Sequence, residues 1–263
     1  MTTNKIWTYC LSILGLSFLI GASAFAADPT QPFQLGFQEA VTPVAEEMHK
    51  FHDMLLYIIT AIVIFVFGLL VYVAIKFNAK ANPEPSKTTH NVLLEVVWTL
   101  VPVIILIVIA VPSFRLLYFG DRTAEPEMTL TVTGYQWYWG YEYPEHGIQF
   151  SAIMKKDHEL EEGEPRLLAT DNKVVVPIDT NIQLYVKAAD VIHAFAMPNF
   201  GVKIDAVPGR LNETWFRVEE PGTYYGQCSE LCGKDHAYMP IEIKAVTKAE
   251  YAEWVEWAKK EYE

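Results

Sequence analysis

Met128-Thr-Leu-Thr-Val-Thr-Gly134 sets an apolar side chain at every second position. That period belongs to a half-buried strand, because successive side chains of an extended chain point to opposite faces. Asn181-Ile-Gln-Leu-Tyr-Val-Lys187 and Val191-Ile-His-Ala-Phe-Ala-Met197 alternate in roughly the same way. Lys173-Val-Val-Val-Pro177, Glu213-Thr-Trp-Phe-Arg-Val218 and Ile241-Glu-Ile-Lys-Ala-Val246 add further short strands, and Pro208-Gly209 and Pro221-Gly222 supply turns between them. Many short strands separated by turn residues predict a β-sandwich or barrel. The polar run at 157–164 reads as a loop. Past residue 246 the period changes again: Thr247-x-x-Glu250 is a capping box, and Tyr251, Trp254, Val255 and Ala258 recur at helical spacing. A short terminal helix packed on the sandwich is expected.

Upstream of the strands lie three apolar blocks. The first, Ile6 to Ala27, has a short core preceded by Lys5 and ends in Gly21-Ala-Ser-Ala-Phe-Ala-Ala27. Small residues at −3 and −1 of a cut after Ala26 or Ala27 fit a signal peptide over residues 1–27, with a retained anchor helix as the alternative. Cys10 would leave with the signal peptide. The second block runs from about Met54 to Ile75 and the third from about Val96 to Leu117, charged only at Arg115. Each reaches the ~20 residues needed to cross ~30 Å of hydrocarbon. Pro102 and Pro112 lie in the third, which membrane helices tolerate when neighbours compensate. The connecting loop carries Lys76, Lys80 and Lys87 against Glu84. An excess of positive charge keeps a loop in the cytoplasm, so both outer flanks face the other side, as the signal peptide also requires. The expected organisation is a signal peptide at 1–27, a two-helix membrane segment at 28–120 and an exported domain at 121–263. His49 and His52, just before the first membrane helix, have no third candidate ligand nearby and are expected to sit at the interface.

The net charge is −12. Residues 121–263 hold 14 Lys and Arg against 25 Asp and Glu, so the exported part carries nearly all of it. That balance excludes nucleic acid and suits either plain solubility or a basic partner.

The chemistry-bearing stretch is Cys228-Ser-Glu-Leu-Cys232-Gly-Lys-Asp-His236-Ala-Tyr-Met239, with His193 on an upstream strand. Two thiolates, two imidazoles and a thioether suit copper, Cu(I) above all. A blue-copper site needs only one of the cysteines; two thiolates can bridge two metals, each capped by one His. In an oxidising compartment Cys228 and Cys232 could instead form a disulfide, and a Cys2His2 set could hold zinc. A disulfide needs none of His193, His236 and Met239, and Met is a poor zinc ligand.

Asp190-Val-Ile-His193, the Cys228–Met239 stretch, Gln136-Trp-Tyr-Trp139-Gly-Tyr-Glu-Tyr143 and Asp205-Ala-Val-Pro-Gly-Arg210 together resemble the CuA signature of cytochrome c oxidase subunit II, in its bacterial and mitochondrial branch with two membrane helices. The resemblance covers essentially the whole mature chain. It implies a two-helix transmembrane hairpin followed by an all-β, cupredoxin-like sandwich with a short C-terminal helix. It implies a binuclear copper CuA centre on His193, Cys228, Glu230 (through its carbonyl), Cys232, His236 and Met239. It further implies that the Glu230 side chain reaches a Mg²⁺ or Mn²⁺ shared with subunit I. A carboxylate suits a hard cation, whereas a carbonyl is a weak copper donor. Electrons would come from cytochrome c and pass to haem in subunit I, where O₂ is reduced and protons are translocated, in the inner membrane of a bacterium with the C-terminal domain in the periplasm. Partners are then subunit I, the other oxidase subunits, cytochrome c and the lipid bilayer. A membrane-anchored copper carrier without redox turnover is the alternative. A quinol-oxidase subunit II would lack the ligands that are intact here.

Six aromatics crowd residues 135–143, and most read as strand packing. The resemblance singles out Trp137 as the residue that admits electrons from cytochrome c. Glu142, Asp190 and Asp205 are candidate docking acids for a basic cytochrome c. Glu95, at the start of the second membrane helix, has a favourable place near a helix N-terminus, but the resemblance puts it at the mouth of a proton channel serving subunit I.

Overall fold

The computed structural model describes residues 33–122 and 125–262; the expected signal peptide lies outside them. Two long helices come first. Helix α1 spans Pro43–Lys76, capped by the Thr42 hydroxyl with Pro43 at its first position. Helix α2 spans Val92–Asp121 and is capped by Asn91. Both caps accept an otherwise orphaned N–H of the first turn. Both helices are long and apolar enough to cross a membrane, and their apolar stretches have no cover within the chain. They run past the apolar blocks: α1 begins at Pro43 rather than near Met54, because its first turns are needed to dock on the domain above. Pro102 and Pro112 are both absorbed within α2.

The domain is a sandwich of two five-stranded sheets. One has the order β3-β2-β1-β5-β8, the other β4-β10-β9-β6-β7. The strands are β1 Met128–Tyr135, β2 Tyr138–Tyr143, β3 Ile148–Ala152, β4 Val174–Pro177, β5 Ile182–Ala188, β6 His193–Met197, β7 Val202–Ala206, β8 Asn212–Phe216, β9 Gly222–Cys228 and β10 Pro240–Val246. β1 pairs in parallel with β5, and β10 with β4, while the other ladders are antiparallel. Alternation on β1 buries Met128, Leu130 and Val132, and on β2 it buries Trp139, Tyr141 and Tyr143. Facing them from the other sheet are Phe195, Met197, Ile241 and Ile243. Removing this apolar area from water, at ~25 cal/mol per Å², is what holds the sheets together.

Helix α3, Lys248–Glu261, starts at the expected capping box: Thr247 Oγ1 accepts from the Glu250 N–H, and the Glu250 carboxylate accepts from the Thr247 N–H. Its Val255 and Ala258 are buried, and Tyr251 and Trp254 pack on the core. Residues 157–164 form a loop. The membrane hairpin is tied to the sandwich at both helix ends. The Val41 N–H donates to the Asn199 carbonyl at 3.1 Å, Thr42 Oγ1 to the Phe200 carbonyl at 2.8 Å, and Trp215 Nε1 to the Phe119 carbonyl at 3.0 Å.

Candidate metal centre

The second sheet and the loop leaving it supply the donors. His193 opens β6, Cys228 closes β9, and the β9–β10 connection carries Cys232, a 3-10 turn at His236–Tyr238 and then Met239. Phe195 and Cys228 are in register across β6 and β9, which brings the ends of these strands together. Their donor atoms converge. Cys228 Sγ lies 3.9 Å from His193 Nδ1, 3.9 Å from Cys232 Sγ and 3.3 Å from the Glu230 carbonyl oxygen. Cys232 Sγ lies 3.6 Å from His236 Nδ1 and 3.5 Å from Met239 Sδ. Both cysteines are free, their sulfurs well beyond the ~2.05 Å of a disulfide. A tetrahedral metal with bonds of ~2.3 Å to sulfur has ligand–ligand edges of roughly 3.8 Å. The donor spacing fits shared coordination, and His193, Cys228 and Cys232 form a buried group able to hold a metal.

The surroundings fix which atoms face inward. Asp190 Oδ1 sits 2.9 Å from His193 Nε2, so that nitrogen carries the proton and Nδ1 offers its lone pair to the sulfur side. Asp190 is itself held by the N–H groups of Gln136 at 2.7 Å and Val191 at 2.6 Å. Burial pushes its carboxyl up, but the His193 hydrogen bond and these amides hold it below the usual range. Burial likewise disfavours charge on His193, yet its contacts with Cys228 and Asp190 raise its pKa. Burial pushes the Cys228 thiol up, but the His193 contact and neighbouring backbone outweigh it and bring the group down to about 6. The Cys232 thiol is pushed up to about 12, by burial and then by the charge on Cys228. Without a cation only one thiolate is favourable; binding metal through both sulfurs must expel the second proton.

Several residues position the donors through contacts that the sequence did not show. Trp139 is fully buried, donates from Nε1 to the Met239 carbonyl at 3.1 Å, and meets the His193 ring edge-on at 5.9 Å. Gly134 lies under that ring: a Cβ there would come within 2.8 Å of His193 Cδ2. A glycine closing an alternating strand was the available sign, since such glycines mark close approach. Gln136 Nε2 donates to the Cys232 carbonyl at 2.7 Å, tying the β1–β2 turn to the cysteine loop.

Trp137, in that turn, is half-buried and packs on Gly233, next to Cys232, with Lys234 Nζ 5.5 Å from its ring centroid. Glu230 is exposed, and its carbonyl oxygen lies 3.3 Å from Cys228 Sγ. Glu142 lies on the outward face of β2, and Asp205 is exposed on β7. Of the three candidate docking acids, only Asp190 touches the donor set. Glu95 is in the first turn of α2, remote in the fold from the cysteines. His49 and His52 bracket the Phe37 ring, at centroid distances of 5.1 and 4.7 Å.

Residues 128–246 match the family described as Cytochrome C oxidase subunit II, periplasmic domain, and residues 30–116 match Cytochrome C oxidase subunit II, transmembrane domain. The chain belongs to the cytochrome c oxidase subunit II family. Among its relatives, a probable cytochrome c oxidase subunit 2 of Rickettsia bellii is 52% identical over 246 residues, covering 93% of this chain and 91% of that protein. The cytochrome c oxidase subunit 2 of Oenothera berteroana is 46% identical over 235 residues, 87% of this chain and 91% of that one. The crystal structure of the periplasmic domain of subunit II of cytochrome oxidase of Bradyrhizobium japonicum superposes with a TM-score of 0.51 at 53% identity, covering 54% of this chain and all of that one. As in the family, a pair of apolar helices precedes a cupredoxin-like sandwich, and the converging donors lie in the part matching the periplasmic domain.

Proposed function

We propose that this chain is the electron-accepting subunit of a proton-translocating cytochrome c oxidase, taking electrons from cytochrome c and delivering them to haem in subunit I. Convergence of two thiols, two imidazoles, a thioether and a carbonyl within 3.3–3.9 Å of a neighbouring donor carries this reading. His193, Cys228, Cys232, His236, Met239 and the Glu230 carbonyl would hold a binuclear copper CuA centre. When bound there, the copper pair would supply a one-electron carrier that rearranges little on reduction. The protein's own part is to hold those donors still: Asp190 fixes the His193 ring, Trp139 the Met239 carbonyl, and Gln136 the Cys232 carbonyl. Trp137, packed on Gly233, would be the aromatic contact for the donor haem protein. The exposed Glu230 carboxylate would take a Mg²⁺ or Mn²⁺ at the boundary with subunit I. Glu142 and Asp205 would contribute to docking, and Glu95 to proton uptake from the cytoplasm. The chain would span the bacterial inner membrane twice, following a cleaved signal at 1–27, with residues 121–263 in the periplasm.

Stopped-flow mixing of ferrocytochrome c with the copper-loaded domain tests this; the corresponding domain of the Bradyrhizobium relative crystallised alone. Reduction should be rapid at low salt and slower at 0.15 M, where charges are screened beyond ~8 Å. A domain that loads copper but takes no electron from cytochrome c would favour a carrier.

A further inference from the structure

Arg115 is the single charge within the apolar block of α2, and an ionisable group at that depth asks for a partner. Among the described residues it has neither an ion pair nor a hydrogen bond. It lines a groove of about 470 Å³ between the outer ends of the two helices, together with Glu47, Lys50, Phe51, Met54, Pro112, Leu116 and Phe119. Phe51, Met54, Pro112, Leu116 and Phe119 make its apolar floor, and Glu47, Lys50 and Arg115 supply its charged groups. It lies next to the contacts that tie both helix ends to the sandwich.

We propose that this groove binds one glycerophospholipid with a zwitterionic, ethanolamine-type headgroup, its phosphodiester on Arg115. The charged groups select it. Lys50 Nζ is taken by Glu47 Oε1 at 2.7 Å, and Glu46 lies 3.7 Å away, so Arg115 is left as the cation for one phosphate. The second oxygen of Glu47 has no partner among the described residues and can accept from an ammonium. The apolar floor takes the first methylenes of an acyl chain, at ~0.8 kcal/mol per buried CH₂, which a free phosphate could not use.

The test uses the assembled oxidase in bilayer nanodiscs, with a phosphatidylethanolamine probe carrying a photoreactive group near its glycerol. The probe should label peptides spanning residues 47–54 and 112–119. Arg115→Gln should cut this labelling by about tenfold or more, as loss of a charge-assisted hydrogen bond of ~1.5–3 kcal/mol requires, while copper content and reduction by cytochrome c stay unchanged. Unlabelled phosphatidylethanolamine should compete better than phosphatidylglycerol. Glu47→Gln should erase that preference yet keep the labelling, a readout that stands even if Arg115→Gln fails to assemble. Labelling indifferent to both substitutions, equal competition by phosphatidylglycerol in the wild type, or cross-links from subunit I across the groove would each overturn the proposal.

Discussion

Gly233 shows how a single missing side chain shapes the centre. Its φ of +133° is one that L side chains rarely adopt, and a Cβ would stand 2.8 Å from Trp137 Cζ2. Gly233→Ala should therefore cost about 1–3 kcal/mol of stability and push the indole off the cysteine loop. Reduction of the copper-loaded domain by cytochrome c should slow as much as in Trp137→Gln, with copper content retained; unchanged rates in both variants would make Trp137 a packing residue. Asp190 makes a different case. Read from sequence it is a docking acid; in the structure its carboxylate spans His193 Nε2 and two backbone amides. Removing a partner of a metal-ligating histidine typically costs 10–100-fold in metal affinity. Asp190→Asn should lose copper to a chelator at about 10-fold lower chelator concentration or less, an effect that persists at high salt. A purely docking acid would show only weaker cytochrome c binding, confined to low salt. The ligand residues were legible because their spacing is local and their chemistry unusual. The roles of the residues that aim them were not: Gln136 and Trp139 act across 96 and 100 positions of chain, and Asp190, though only three residues before His193, is itself held by the Gln136 N–H 54 positions away.

Among the elements, those with a clean period were readable and those without were not. β1, β5 and the terminal helix follow their patterns, and the capping box is closed as expected. β3 is short with a mostly polar exposed face, and β9 carries Gly222 and Gly226 among its aromatics, so neither announces itself. Gly226 is there because a Cβ would lie 2.0 Å from the Ala196 carbonyl oxygen on β6. Nor could periodicity show how the segment between β3 and β4 is held. Lys155 Nζ lies 2.8 Å from Glu164, and Lys173 Nζ lies 3.0 Å from Glu164 and 2.9 Å from the fully buried Glu242 on β10. Burial opposes charge on Glu164, but the Lys155 hydrogen bond, the Glu161 N–H and Lys173 outweigh it and lower its pKa from 4.5 to about 2. Because the folded value is the lower one, this contribution to stability is present above about pH 4.5 and is lost as the pH falls toward 2. Urea midpoints of the isolated domain should fall across that window. Glu164→Gln should be less stable at pH 7 and lack this part of the acid limb; a wild-type pH profile in the variant would leave Glu164 without a role in it.

For the whole molecule, sequence and structure agree on two helices long and apolar enough to cross a membrane and one β-sandwich, and both helix ends that touch the sandwich lie on the side opposite the lysine-bearing loop. Glu95 lies in the first turn of α2, at the end of that helix away from the sandwich. If it feeds protons to subunit I, Glu95→Ala in the assembled oxidase should slow steady-state turnover several-fold while cytochrome c still delivers electrons to this chain at the normal rate. Equal turnover would reduce Glu95 to a helix-end charge.

The proposed electron-accepting role depends on two metals sharing the two cysteine sulfurs. Metal analysis with EPR of the isolated domain, residues 121–263, addresses that point with no other subunit present. The wild type should bind two coppers and show one unpaired electron with hyperfine structure from two equivalent copper nuclei, and Cys228→Ser should abolish that pattern. A single copper with a one-nucleus spectrum, bound zinc, or an unaltered spectrum in Cys228→Ser would rule out the bridged pair.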